Sequence, residues 1–193
     1  MYGSNSTKKI LITYHEGGKV LPYREMEKTV RAVFQRLPNI RTTDELVALV
    51  METMIVETHL GGEKWETGIR KWKNYGIGQF VMSTATSTVK WLKDVRPDVH
   101  KAVMALYDKK HDMAWNITNN IPFSIAMIVQ YYWRVCPDIY ANIDDLHVRS
   151  ILWKRVYNSP SGLGSPEIYR KRVRNFMKTL EKAEADSKKT TRS

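Results

Sequence analysis

The chain has 193 residues, 42% hydrophobic and 26% charged, with a formal net charge of +11 and a pI near 9.7. That length supports one domain with a real core, and the balance is an ordinary globular one. No apolar run approaches the ~20 residues a membrane helix needs; the longest, Ile121 to Val135, is interrupted by Ser124, Gln130 and Arg134.

A basic chain seeks anionic partners, and the candidates are nucleic acid, anionic lipid and the bacterial wall. Zinc-finger spacing and the aromatic-basic RNP motif are both absent, so no nucleic-acid module is indicated. The single cysteine, Cys136, can form no internal disulfide; it follows an apolar helix and precedes Pro137, which reads as a structural thiol. The N-terminal apolar run from Ile10 to Tyr14 is too short for a secretory h-region. The expectation is a protein made in a cytoplasm without an export signal of its own.

In chain order, residues 1–21 read as an arm with a short extended piece. A first helix follows from about Tyr23 to Leu37, with Val30, Val33, Phe34 and Leu37 on its apolar face and Pro38 as its stop. It is either a helix packed on the back of the domain or a docking element. Thr42 to Glu45 reads as a capping box that opens a helix over 43–59. Residues 60–75 form a polar, basic loop. Ser83 to Lys93 and Val99 to Lys109 read as helices, and Asp112 to Asn120 as a polar link. Ser124 to Val135 is the most apolar helix and the expected centre of the core. Ile143 to Val156 is a further helix, Ser159 to Ser165 a loop by composition, and Pro166 to Leu180 an amphipathic closing helix. From about Lys182 the tail is polar, charged and expected to be disordered unless a partner holds it. No convincing run of strands appears, so the fold class is mainly α. The expected organisation is an N-terminal arm and helix (1–41), one main domain (42–181) and a basic tail (182–193). His100 and His111 have no companions at metal-site spacing; neither a metal nor a cofactor is assigned.

Glu57 is the residue with chemical promise. Leu46, Val50 and Met54 recur at helical spacing, and Glu57, eleven residues beyond Leu46, falls on the same row. Gly61 and Gly62 then stop the helix. A carboxyl group on a core-facing row is pushed toward its neutral form and can protonate a leaving-group oxygen. On periodicity alone the commoner case is a partly exposed structural Glu in a last turn.

Four stretches shift that balance. Gly76-Ile77-Gly78-Gln79-Phe80-Val81-Met82-Ser83-Thr84-Ala85 resembles the G-L-M-Q-x-M-P-x-T-A signature of the soluble lytic transglycosylase family, and Glu57-Thr58 its catalytic Glu-Ser. Asn120-Ile121 and the helix after it resemble an N-I-x-x-G element, with Ser124 in place of Gly. Tyr157-Asn158-Ser159-Pro160-Ser161-Gly162 resembles an A-Y-N-A-G-x-G turn, and Pro166 to Val173 the P-x-x-Y-V-x-x-V that follows it. The matches lie in family order over roughly residues 43–180. The departures are Thr58 for Ser, Gly78 for Met, Met82 for Pro, and Val156 and Ser159 for small residues. They suggest a divergent member and bear on substrate detail.

The resemblance implies a lysozyme-like fold and cleavage of the β-1,4 bond between N-acetylmuramic acid and N-acetylglucosamine in peptidoglycan, closing a 1,6-anhydro ring without water. It makes Glu57 the acid and then the base. It makes Thr58, Gln79, Tyr157 and Asn158 the groups around the sugar and the carboxyl. With no export signal, a bacteriophage protein is implied, acting at lysis or within a virion whose other proteins contact the N-terminal helix and the basic tail. Two alternatives remain open. One is a hydrolytic lysozyme on the same fold, with Glu63 or Glu66 as the second carboxylate at about 6.5–9.5 Å, as similarity to goose-type lysozymes suggests; the other is a non-catalytic virion component.

Overall fold

A computed structural model describes residues 23–58, 60, 74–140, 143–160 and 162–190. The N-terminal arm and the loop carrying Glu63 and Glu66 lie outside the described residues. The described chain is mainly helical: α1 (Tyr23–Phe34), α2 (Asp44–Thr58), α3 (Met82–Val95), α4 (Pro97–Met104), α5 (Met113–Asn119), α6 (Ile121–Val135), α7 (Leu146–Leu152) and α8 (Pro166–Thr190). Two two-residue strands, β1 (Asn74–Tyr75) and β2 (Phe80–Val81), pair antiparallel as Asn74↔Val81 and Tyr75↔Phe80. Among the described residues no helix is long and apolar enough to cross a membrane.

Helix α6 is the centre of the core, as its composition predicts. Phe123, Ile125, Ala126, Met127, Ile128, Val129 and Tyr132 are all fully buried, and α1, α2, α3, α4 and α5 pack around it. Helix α2 is enclosed between α1, α6 and α8, and Leu46, Leu49, Val50 and Met54 are fully buried. Its N-terminus is capped one residue later than the capping box predicts. Thr43, not Thr42, accepts the Leu46 N–H at 3.3 Å and the Val47 N–H through its carbonyl at 3.0 Å. Helix α1 buries Met26, Val30, Val33 and Phe34 against α2 and α6, so it shares the core of the following helices. Asn39 and the fully buried Gln130 exchange amide hydrogen bonds of 3.0 Å each, tying the α1–α2 connection to α6.

Three further expectations change. The polar link over 112–120 is largely helix: Asp112 caps α5 by accepting from Trp115 N at 2.7 Å. Its polar residues turn inward, Asn116 donating to the carbonyls of Asp108 and Asp112 at 3.0 and 2.9 Å. Asn120 then caps α6 through Phe123 N at 3.2 Å and donates to the Leu106 carbonyl at 2.6 Å. The expected helix over 143–156 divides into α7, capped by Asp145 through Val148 N at 2.9 Å, and a π-helical segment, Trp153–Asn158. The tail does not lose order at Lys182: α8 continues to Thr190, and Glu184 reaches Arg24 of α1 at 3.1 Å.

Candidate active site

Glu57 sits in the last turn of α2. The row before it is fully buried at Leu46, Val50 and Met54, but Glu57 is only partly buried, at the end where the helix leaves the core. The buried acid of α2 is instead Glu52, 8% exposed. Arg149 grips it with two hydrogen bonds, 2.9 and 2.8 Å, and Tyr169 donates to the same carboxylate at 3.0 Å. Arg149 also donates to the Ile143 carbonyl at 2.9 Å. Glu52 is therefore committed to holding α2, α7 and α8 together. From α8, Arg172 donates to the Val56 carbonyl beside Glu57.

The Glu57 carboxylate accepts a hydrogen bond from the Trp153 indole, Nε1 to Oε1 at 2.9 Å. Trp153 opens the π segment, and Tyr157 follows four residues on. The wider i→i+5 turn brings residue i+4 back over residue i, an arrangement frequent at functional sites. Tyr157 donates its hydroxyl to the Gly78 carbonyl at 2.6 Å. Its ring stacks on Tyr132 at 5.2 Å and meets Tyr131 and Phe80 edge-on at 5.6 and 5.8 Å.

The Gly-rich turn of the sequence joins β1 to β2. Gln79 N donates to the Gly76 carbonyl at 3.0 Å, and Gly76 has φ +67°. A Cβ there would lie 1.9 Å from the Ile117 carbonyl oxygen, so only glycine fits. At Gly78 a Cβ would lie 2.5 Å from the Tyr157 hydroxyl and 2.8 Å from Ile128. Glycine at this position thus has a physical cause: the Tyr157 hydroxyl occupies the space a side chain would need.

Of the five predicted site residues, Glu57 and Tyr157 are linked through Trp153, which donates to Glu57 and lies four residues before Tyr157 on the same segment. Burial first, then the Glu57 carboxylate, push Tyr157 well above the ordinary phenol value. Burial does the same for Tyr132, opposed by its hydrogen bond with Thr53 and reinforced by Glu57 and Glu52. Both phenols stay neutral at physiological pH and are not competing bases. Thr58 lies beneath the site: it is 1% exposed, and its hydroxyl reaches the Met54 and Ile77 carbonyls at 3.0 and 3.3 Å. It ties the end of α2 to the Gly-rich turn. Gln79, with φ +49°, folds its amide back onto the Gly76 carbonyl at 3.1 Å. Asn158 follows Tyr157, and its Oδ1 accepts from Lys154 at 2.9 Å; the same ammonium donates to the Gly162 carbonyl at 2.7 Å. The amide is thereby oriented by a cation one turn away.

Sequence reasoning missed Trp153 and Lys154. Their signal was present in their spacing, each four residues before a predicted site residue on a helical segment. No family model matches the chain, and no curated protein or solved structure matches it. The arrangement offers one partly exposed carboxyl group, gripped by a donor that does not titrate, beside neutral phenols. Such a group can give a proton and take one back.

Proposed function

We propose that the chain is a peptidoglycan lytic transglycosylase with a lysozyme-like fold, using Glu57 as its acid and base. The observation that carries this reading is that three separated motif stretches come together around the C-terminal end of α2. Glu57 ends α2, the Trp153–Asn158 segment reaches it through Trp153, and the Gly76–Gln79 turn is joined to both by Thr58 and Tyr157. The resemblance rests on residue types and their order along the chain, whereas this proximity is one of space.

In this mechanism protonated Glu57 gives its proton to the glycosidic oxygen as the bond to the muramyl C1 breaks. The substrate's acetamido group stabilises the developing positive carbon, with the Asn158 amide beside it. Glu57, now a carboxylate, takes the proton of the muramyl 6-hydroxyl as that oxygen bonds to C1. One carboxyl group suffices because water is not consumed, an exception to the two-carboxylate rule. The commitment of Glu52 to Arg149 and Tyr169 leaves it no part in this chemistry. Action at the wall in phage entry or lysis, and contacts with other virion proteins, belong to the same proposal; the basic balance suits an anionic wall. Zymography on wall-impregnated gels tests it: the wild-type chain clears the gel and Glu57→Gln does not, whereas clearing by the variant refutes the assignment.

A further inference from the structure

Trp153 is 2% exposed, and its place is fixed from several sides. Its ring lies 5.2 Å from that of Tyr169 at 45°, and Tyr169 is itself held by the Glu52 carboxylate. On another side a Cβ at Gly164 would lie 2.4 Å from Trp153 Cη2, so the loop backbone is pressed onto the indole. A side chain this constrained presents its one polar atom in one direction, and that atom meets Glu57 Oε1 at 2.9 Å. An indole N–H donates only; it neither accepts nor titrates. It can therefore hold the carboxyl group both before and after proton transfer, more strongly as the carboxylate, without entering the proton balance as a histidine or lysine would.

We propose that Trp153 is the positioning residue of Glu57, fixing the carboxyl group through Oε1 while it gives up and takes back the catalytic proton. The proton passes from Glu57 to the bridging oxygen as the C1–O bond breaks, and the proton of the 6-hydroxyl returns to Glu57 as the O6–C1 bond forms. The catalytic part of this proposal rests on the transglycosylase reading; the contact itself does not.

The test combines a spectrum with kinetics on the full chain. The Trp153 indole N–H is assigned in a 1H–15N NMR spectrum and compared in wild type and Glu57→Gln, a measurement that needs neither activity nor a tryptophan variant. Replacing the carboxyl acceptor by an amide moves that signal upfield and leaves the other indoles in place. On purified glycan strands, folded Trp153→Phe loses about tenfold or more in kcat with KM held within about twofold, the size expected for one hydrogen bond to a charged group. An unmoved indole signal overturns the proposal whatever the activity. A folded Trp153→Phe with unchanged kcat overturns its catalytic part. If the signal moves but the wild type cuts no glycan, the transglycosylase reading fails and takes the catalytic part with it, while the contact stands.

Discussion

Removing Arg149 from the buried pair tests how the scaffold behind the site is held. Glu52 and Arg149 are 8% and 9% exposed, and their two hydrogen bonds of 2.9 and 2.8 Å make a bidentate pair. Arg149→Met leaves the Glu52 carboxylate buried with Tyr169 as its remaining donor from this network. Leaving one buried charge without its partner costs about 3–5 kcal/mol. At this chain length each kcal/mol shifts Tm by about 2–4 °C, so the fall is roughly 6–20 °C. The double variant Glu52→Gln/Arg149→Met removes both charges, keeps an acceptor for the Tyr169 hydroxyl, and recovers most of the loss. Thermal unfolding followed by circular dichroism on both single variants and the double variant gives the coupling energy directly. A single-variant cost below about 1 kcal/mol, the range of exposed ion pairs, refutes the burial argument. So does a double variant that loses the sum of the two singles.

Two further predictions concern the turn and the tyrosines. Gly76→Ala meets the Ile117 carbonyl at a positive φ and destabilises by more than about 1 kcal/mol in urea unfolding. Gly78→Ala displaces the Tyr157 hydroxyl and lowers the rate of sacculus clearing on the order of a hundredfold, the effect of misplacing a site by about 1 Å; an unchanged rate would show that Tyr157 does not position the site. Tyr132, Tyr157 and Tyr169 are raised well above their ordinary value, burial being the largest cause. Their neutral forms contribute stability that is fully present below the unfolded phenol value of about 10 and is lost as pH rises through the folded values. Absorbance at 295 nm then shows these phenols ionising only as the chain unfolds, with Tm falling above about pH 10; ionisation of all tyrosines at ordinary pH in a folded chain contradicts this.

The parts legible in the sequence were those written in local periodicity and local motifs. Helix α6 announced itself by its apolar run, and α2 by its row of Leu46, Val50 and Met54. The Gly-rich turn was legible because Gly76 needs a positive φ and Gly78 a close approach, both demands that only glycine meets cheaply. The parts that were not legible depend on partners distant in sequence. Glu52 and Arg149 are separated by 97 positions, and nothing local distinguishes Glu52 from Glu57 on a helix enclosed on nearly every side. The row of Leu46, Val50 and Met54 runs on to Glu57, yet Glu52 is the buried acid, and Glu57 has the partial exposure that is commoner for a last-turn Glu. Helix α5 was hidden because its asparagines, which read as a polar link, bond inward to backbone carbonyls. The run of α8 past Lys182 was hidden in the same way, since composition does not reveal that Glu184 meets Arg24.

The most direct measurement is mass spectrometry of the fragments released from purified sacculi by the wild-type chain and by Glu57→Gln. The wild type is predicted to release muropeptides ending in 1,6-anhydro-N-acetylmuramic acid, and Glu57→Gln to release none. Reducing ends in place of anhydro ends would contradict ring closure without water, and fragments released by the variant would contradict proton transfer at Glu57 as the source of the chemistry.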